Sequence, residues 1–289
     1  MTALSFTKGH GTKNDFVLLF DEDGDLDITP ALVRYLCDRR AGIGADGVIR
    51  AVRSGALEAG RAFDSDLWFM DYWNADGSTS EMCGNGARVF GAFLEAKAGI
   101  DLSHGISFAT RGGLRSVQAR GGGRYAVGMG AWSLGAPGGF DSQVDAQGLS
   151  HERPALSVDV GNPHRVVALS SDQELDALDL SIAPEVIPEP AHGANVEFVV
   201  ARGVRTVDGR VRGQARMRVH ERGSGETQSC GTGACAVALA VASWAGDDAP
   251  RVWDIEVPGG VVTVEIAPDH TVLEGPAVLV AHGSVELPA

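Results

Sequence analysis

Two glycine-flanked cysteine phrases decide the fold of this 289-residue chain. The first is "MCGNGARVFGAFLEAKAG", Met82–Gly99, and the second is "SCGTGACAVALAVASWAG", Ser229–Gly246. When they are aligned, the cysteine, two glycines, an alanine and the closing Ala-Gly coincide. A weaker echo, "GADGVIR" from Gly44 and "GANVEFV" from Gly193, recurs at nearly the same offset. Two echoes at one offset predict an internal duplication into two halves of similar fold.

Each phrase has the pattern of a turn followed by a helix. The residues ahead of Cys83 and Cys230 are typical of turns, and Gly99 and Gly246 are placed to end the helices. The sequence therefore predicts a cysteine at or beside the N-terminus of each helix. The second helix is apolar on nearly every face, which indicates burial on all sides within a wrap of strands.

Short β-rich runs lead up to each phrase, and a hairpin-like pair of runs follows it. The following pairs are "ISFAT" with "LRSVQA" in the first half and "VWDIEV" with "VVTVEI" in the second. Glycine-rich stretches at Gly121–Arg124 and Gly135–Gly139 are the best candidates for the boundary between the halves.

Composition excludes several classes of protein. The formal net charge of −14 disfavours a nucleic-acid or anionic-membrane partner. The N-terminus has no signal-peptide pattern and the longest apolar run is too short to span a bilayer, so we expect a cytoplasmic protein without membrane contact. There are four cysteines and no CxxC pair, so no metal site is predicted. Cys37 and Cys235 are interpreted as small buried apolar residues.

Two cysteines at helix N-termini suggest a specific chemistry. A helix N-terminus favours thiolate, and its bare amides suit a carboxylate. One thiolate can remove a proton from a carbon while a thiol on the other side delivers one to the opposite face, which inverts the carbon without a cofactor. The amides that would clamp the substrate carboxylate are those of Gly84, Asn85, Gly231 and Thr232.

Seven stretches between Lys8 and Gly260 give the chain a resemblance to a known family. They are "KGHGTKNDFVLL", "DRRAGIGADGV", "YWNADGSTSEMCGNGARVF", "DVGNPH", "GANVEFV", "RVHERGSGETQSCGTGACA" and "VPGG". The chain resembles the diaminopimelate epimerases. The resemblance implies cofactor-independent interconversion of LL- and meso-diaminopimelate, in lysine and peptidoglycan precursor biosynthesis, by a cytoplasmic homodimer.

The resemblance also implies roles for individual residues. Cys83 and Cys230 match the two catalytic cysteines, and His164 and Glu221 match residues that support the cysteines and the reacting amino group. The remaining matched residues bind substrate: Asn14, Asn74, Gly84, Asn85, Asn162, Asn195, Glu221, Arg222, Gly231 and Thr232. The sequence departs from the family at Gly47, where many members have a substrate-contacting glutamine.

The fold implied by the resemblance is α+β. It has two pseudo-symmetric halves, each a mixed β-sheet or barrel around a central helix, with the active site in the cleft between them. The implied domains are residues 1–122 and 123–275, with a C-terminal strand at 276–289 returning to the first half.

Three other functions fit parts of the pattern. A proline or hydroxyproline racemase shares the two-cysteine chemistry but has no distal carboxylate to bind. A pyridoxal phosphate enzyme would need Lys8, Lys13 or Lys97 for its Schiff base, and none of them lies in a convincing phosphate-loop context. A redox sensor would use a reversible disulfide between Cys83 and Cys230 and would not turn over any amino acid.

Overall fold

The computed structural model describes residues 3–287. The strands in this part of the chain are β1 Ala3–Gly11, β2 Asn14–Phe20, β3 Gly47–Arg53, β4 Trp68–Asn74, β5 Ile106–Thr110, β6 Gly113–Gly121, β7 Arg124–Gly130, β8 Ser133–Leu134, β9 Ser142–Asp145, β10 Arg153–Asp159, β11 Pro163–Ala168, β12 Glu185–Ile187, β13 Asn195–Val207, β14 Arg210–Glu221, β15 Gly225–Glu226, β16 Val252–Val257, β17 Gly260–Ile266, β18 Thr271–Pro276 and β19 Val278–Glu286. The α-helices are α1 Pro30–Cys37, α2 Gly84–Ala98, α3 Asp172–Asp176 and α4 Gly231–Ala245. Short 3₁₀ turns lie at Ser54–Ala56 and Glu58–Gly60.

The chain divides into two compact units. The first unit is Met1–Val127 with Gly275–Ala289, and the second is Gly128–Glu274. In the first unit, β19 pairs antiparallel with β1. The last two residues of the predicted C-terminal strand, 288 and 289, lie outside the described residues.

Strand pairing in the first unit follows a fixed succession. From β1 to β7, each strand pairs with the next in chain order, and the pairs run antiparallel, parallel, antiparallel, parallel, antiparallel and antiparallel. Helix α1 connects β2 to β3, and α2 connects β4 to β5. Both connections join parallel strands, which need such a crossover.

The second unit repeats this succession. Its strands β10, β11, β13, β14, β16, β17 and β18 pair in that order with the same alternation of directions. Helices α3 and α4 stand where α1 and α2 stand in the first unit. The prediction of an α+β fold made of two similar halves is confirmed.

Each unit packs its strands around one long helix. Helix α2 contacts β1, β2, β3, β4, β6 and β19, and α4 contacts β10, β11, β13, β14, β16 and β17. The residues of α2 from Gly84 to Leu94 are all buried, and α4 is buried on nearly every face, as its composition predicts. Each fully buried large apolar side chain stabilises the fold by roughly 1.5–3 kcal/mol.

The ends of the helices follow their sequence signals. The Thr29 hydroxyl caps α1 by accepting from the Leu32 amide, ahead of Pro30. Gly99 ends α2 with a φ of 65°, a left-handed conformation that glycine adopts without strain. Gly246 follows the last residue of α4. Within residues 3–287, none of these helices combines the length and apolar character needed to cross a membrane.

Candidate active site

The two cysteines occupy the same position in their helices. Cys83 is the N-cap of α2, and its Sγ accepts a hydrogen bond from the Gly86 amide at 3.3 Å. Cys230 is the N-cap of α4, and its Sγ accepts from the Gly233 amide, also at 3.3 Å. The prediction that each cysteine lies at a helix N-terminus is confirmed. Each sulfur faces the positive end of a helix dipole, which favours negative charge there.

The first hydrogen bonds within each helix are donated by residues that follow the amides predicted to clamp the substrate carboxylate. Ala87 donates to the Cys83 carbonyl at 2.8 Å, and Ala234 donates to the Cys230 carbonyl at 3.0 Å. The amides predicted to clamp the carboxylate come before these donors, in the part of the first turn whose amides have no partner within the helix. They belong to Gly84, Asn85, Gly231 and Thr232. Both helix ends thus have the chemistry of an anion site.

In the first unit, an asparagine from the β1–β2 hairpin lies beside Cys83. Asn14 Oδ1 is 3.7 Å from Cys83 Sγ and accepts a hydrogen bond from the Asn85 carboxamide at 3.2 Å. Asn85 Oδ1 in turn accepts from the Arg88 guanidinium at 2.9 Å. Arg88 is completely buried. We refer to Asn14, Cys83, Asn85 and Arg88 as the Cys83 half-site.

The carboxylate of Asp46 fixes the orientation of Asn14. Asn14 Nδ2 donates to Asp46 Oδ2 at 2.8 Å, so the carboxamide oxygen is the atom turned toward Cys83. Asp46 is itself held by the Arg39 guanidinium at 2.7 Å. Sequence reasoning missed Asp46, although the "GIGAD" phrase that ends with it was part of the resemblance.

In the second unit, a hydrogen-bonded chain leads away from Cys230. Its Sγ lies 3.4 Å from the Thr232 hydroxyl, which accepts from Asn162 Nδ2 at 3.5 Å. Asn162 Oδ1 lies 3.0 Å from His164 Nε2, and His164 Nδ1 lies 2.7 Å from Glu197 Oε1. The chain joins four predicted site residues to one that sequence reasoning missed, Glu197. We refer to these five residues as the Cys230 half-site.

Glu221 ends β14 close to Cys230. Its Oε1 accepts a hydrogen bond from the Thr227 hydroxyl. Burial raises the pKa of the Glu221 carboxyl and outweighs the hydrogen bond from Thr227, which lowers it. Burial also raises the pKa of the Cys230 thiol well above its ordinary value, and the charges of Glu221 and Glu197 raise it further. Both effects favour the neutral thiol at Cys230.

The other predicted substrate-binding side chains hydrogen-bond to protein atoms, Asn74 within its own turn and the other two to residues distant in sequence. Asn74 Nδ2 donates to the Ser78 hydroxyl at 3.1 Å across a turn. Asn195 Oδ1 accepts from the Arg222 backbone amide at 2.9 Å. The Arg222 guanidinium donates to the carbonyl of His192, and its stem lies over Gly193.

At Gly47, the neighbouring residues leave no room for a side chain. A Cβ there would lie 2.5 Å from the Trp73 carbonyl oxygen and 2.7 Å from Cε2 of Tyr72. The Tyr72 hydroxyl lies 3.4 Å from the same point. The Tyr72 ring therefore occupies the space beside β3 that a glutamine at position 47 would enter.

Among residues 3–287, no three His, Cys, Asp or Glu side chains are grouped as the ligands of a metal ion are.

Comparisons with known proteins show the family and the fold that the chain shares. Residues 6–134 and 156–280 match the family described as diaminopimelate epimerase. The chain is 46% identical over 295 residues to the diaminopimelate epimerase of Streptomyces coelicolor, covering 99% of this chain and 96% of the relative. It is 45% identical over 294 residues to that of Thermobifida fusca, covering 99% of each. Among solved structures, a phenazine biosynthesis protein of the PhzF family from Bacillus anthracis matches with a TM-score of 0.70 at 13% identity, covering 99% of this chain and 100% of that one, which shows a shared fold.

Proposed function

The chain belongs to the diaminopimelate epimerase family, which is a family of isomerases, and on that premise we propose that it interconverts LL- and meso-diaminopimelate by two-base proton transfer between two cysteines. The observation that carries the proposal is the matched placement of Cys83 and Cys230. Each caps the central helix of its unit and accepts a hydrogen bond of 3.3 Å from the third residue after it. A reaction that removes a proton from one face of a carbon and returns one to the other needs two similar groups.

The chemistry is a stereoinversion at the α-carbon. One cysteine, as thiolate, takes the α-proton, and the other, as thiol, gives a proton to the opposite face. The carbanion between these steps carries its charge into the adjacent carboxylate. Amides at the starts of α2 and α4 stabilise that charge as it develops, because they are already oriented before the reaction. No step needs a cofactor.

The charges around Cys230 are the basis for deciding which cysteine starts as proton donor and which as proton acceptor. The carboxyl groups of Glu221 and Glu197 disfavour a thiolate at Cys230. On this ground we propose Cys230 as the proton donor of the resting enzyme and Cys83 as the proton acceptor. In the reverse direction the roles exchange.

Polar side chains would select the substrate. Diaminopimelate carries an amino acid group at each end, and an enzyme specific for it must bind both. Arg222 can form a planar, bidentate pair with the distal carboxylate. The carboxamides of Asn14, Asn74, Asn162 and Asn195 can both donate and accept, which suits an ammonium next to a carboxylate.

Three further features are proposed from the family alone. They are a role in lysine and peptidoglycan precursor biosynthesis, a cytoplasmic location and a homodimer. The oligomeric state is measured directly by sedimentation of the purified protein.

The decisive experiment measures how solvent deuterium enters the α-carbon of the substrate and of the product. Purified protein is incubated with LL-diaminopimelate in deuterated water, and both isomers are recovered at low conversion. The proposal predicts meso product with one α-deuterium and recovered substrate with almost none, since each face has its own base. Equal early labelling of both isomers would indicate a single base. Inversion of proline or hydroxyproline without turnover of diaminopimelate would assign the chain to the racemase alternative.

A further inference from the structure

The first turns of the two central helices lie over different pairs of side chains. In the first unit, a Cβ at Gly86 would lie 3.0 Å from Cδ1 of Ile49 and 3.5 Å from Cζ of Phe16. In the second unit, a Cβ at Gly233 would lie 2.7 Å from Oε1 of Glu197. Gly86 and Gly233 are the third residues after Cys83 and Cys230. The space beneath the cysteine cap is thus lined by apolar atoms in one unit and by a carboxyl group in the other.

The strand register makes these positions equivalent. Phe16 of β2 pairs with Gly47 of β3, and Ile49 is two residues further along β3. His164 of β11 pairs with Asn195 of β13, and Glu197 is two residues further along β13. Since β2 and β3 correspond to β11 and β13 in the repeated topology, His164 takes the place of Phe16. Glu197 likewise takes the place of Ile49.

All four side chains are completely buried. The first unit therefore shows that this fold is satisfied by an apolar pair at these positions. Removing two ionisable groups from water is costly, and replacing a buried ion pair by apolar residues of similar volume is often neutral or stabilising. Packing alone does not account for the His164–Glu197 pair.

We propose that Glu197 is a positioning residue that fixes the imidazole ring of His164 through its Nδ1 atom. His164 in turn fixes the carboxamide of Asn162, which the proposed function assigns to substrate binding. The inference rests on that function and adds to it a residue that makes the two half-sites differ.

The hydrogen bonds determine where the protons lie. Asn162 donates from Nδ2 to the Thr232 hydroxyl, so its Oδ1 accepts from His164 Nε2. Nε2 therefore carries a hydrogen. A second proton lies between Nδ1 and Glu197 Oε1, since two acceptors at 2.7 Å would repel each other. Without the Glu197 carboxyl, Nδ1 would lose this partner, and the ring could present either nitrogen to Asn162.

The Glu197 carboxyl is committed to this one contact. Its other oxygen, Oε2, is buried and has no hydrogen-bond partner among residues 3–287. A buried carboxyl group that makes a single hydrogen bond restricts the imidazole ring of His164 more than a flexible carboxyl group in contact with water would. Its charge also opposes a second negative charge on the sulfur of Cys230, which lies 3.2 Å from the same Cβ point above Gly233. Glu197 thus helps to make the two cysteines unequal at rest.

The test uses Glu197→Gln, which keeps the shape of the side chain and removes its acidity. Nitrogen NMR of protein labelled at histidine measures the protonation of His164, whose signals are identified by their absence in His164→Phe. We expect wild-type His164 to show a proton at or shared with Nδ1, and the variant to lose that shared proton. Turnover should fall roughly tenfold to a hundredfold, as it does when a partner that orients a metal-bound histidine is removed. KM should change less than kcat.

Two controls separate positioning from packing. Glu265→Gln makes the same change on an exposed position of β17 and should alter neither the His164 signals nor turnover. The double variant His164→Phe/Glu197→Ile copies the first unit and should remain folded with a melting temperature near that of the wild type, but without turnover. Unchanged His164 signals in Glu197→Gln would overturn the proposal. A strongly destabilised double variant beside normal turnover in Glu197→Gln would assign the pair to packing and also overturn it.

The NMR result does not depend on the reaction. If the wild-type protein fails to epimerise diaminopimelate, the proposed function is wrong, and the state of His164 still shows whether Glu197 positions the ring.

Discussion

Cys83 Sγ accepts a hydrogen bond of 3.3 Å from the amide of Gly86, so the thiol closes the first turn of α2. A cysteine in this place has two consequences. The sulfur is held in one position by the backbone, and it faces the helix end that stabilises an anion. The same bond, at the same length, holds Cys230 on α4.

We expect Cys83→Ala and Cys230→Ala each to abolish epimerisation. Each face of the α-carbon needs its own proton donor or acceptor, and a general acid or base contributes about 10²–10⁴-fold to the rate. Initial rates measured in both directions test this. Cys235→Ala is the matched control, since Cys235 is buried in the same helix as Cys230 and should be replaceable with little loss of turnover. Near-normal turnover by either of the first two variants would contradict the two-base assignment.

Replacing Arg222 by lysine should weaken substrate binding while leaving the fold intact. Lysine keeps the charge but loses the planar fork that pairs with a carboxylate. Since a charge-assisted hydrogen bond contributes about 1.5–3 kcal/mol, KM should rise roughly 10- to 100-fold. Arg210→Lys, at the exposed start of β14, is the control and should leave KM unchanged. An unchanged KM in Arg222→Lys would remove Arg222 from the site.

The cysteine caps and hairpins could be predicted from sequence because their signals are local. A cysteine between turn residues and an apolar run indicates a helix start, and two β-rich runs with a short turn indicate a hairpin. Burial of the other two cysteines was predicted as well: Cys37 and Cys235 are both buried. The repeated phrase also predicted two halves, and the strand succession confirms them.

Glu197 could not be predicted in this way because its role depends on a long-range contact. In "NVEFVV" it has the position of an ordinary strand residue. Only the parallel pairing of β11 with β13 brings it to His164. Asp46 was missed for the same reason, since its partner Asn14 lies on another strand. A comparison of the two repeats offers the missing signal, because an ionisable residue in one half stands where the other has an apolar residue.

Gly47 should not tolerate a side chain. In Gly47→Ala, the new Cβ would lie 2.5 Å from the Trp73 carbonyl oxygen and 2.7 Å from the Tyr72 ring unless the strands move. Overpacking of this kind typically destabilises by about 1–3 kcal/mol. Adding Tyr72→Leu should restore only part of the loss, since the backbone carbonyl remains. Denaturant unfolding measures both variants, with Gly139→Ala, where the nearest atom is 3.7 Å away, as a control expected within about 0.5 kcal/mol of wild type. Full stability of Gly47→Ala would show that the strands shift to accept it.

Glu221→Gln should stabilise the protein, and the gain should grow with pH. Burial raises the pKa of Glu221 above its ordinary value of 4.5. Because the folded-state pKa lies above the unfolded one, the wild type loses stability as pH rises from about 4.5 through the folded value, by up to about 1.4 kcal/mol per pH unit. Glutamine does not titrate, and its oxygen can still accept from Thr227.

The measurement is the difference in melting temperature between Glu221→Gln and wild type at about pH 4, 6 and 8. The difference should be smallest at pH 4, because the carboxyl is mostly protonated in both states there. Glu265→Gln, at an exposed position, should show no such trend. A difference that is largest at pH 4 would mean that Glu221 is stabilised in its charged form, against the direction argued from its burial.

Mild oxidation should inactivate the protein by joining Cys83 to Cys230. The two-base proposal requires both sulfurs to reach opposite faces of one carbon. Without substrate, nothing in that mechanism keeps the two sulfurs apart, and a disulfide can form once they reach bonding distance. Peptide mapping after oxidation identifies the bridge, and a reductant should restore activity. Diaminopimelate should protect, since a bound amino acid keeps the sulfurs apart.

The other two cysteines are internal controls for this reaction. Burial raises the pKa of Cys37 to about 12, so it has almost no thiolate near neutral pH and should resist oxidation. Cys235 is completely buried inside α4 and should also remain reduced. The cysteines found in the bridge therefore show whether oxidation took place in the folded protein. A bridge that includes Cys37 or Cys235 would indicate oxidation of a partly unfolded chain. Wild-type activity in protein fully bridged between Cys83 and Cys230 would show that the thiols are not the bases, because neither sulfur of a disulfide can accept or deliver a proton.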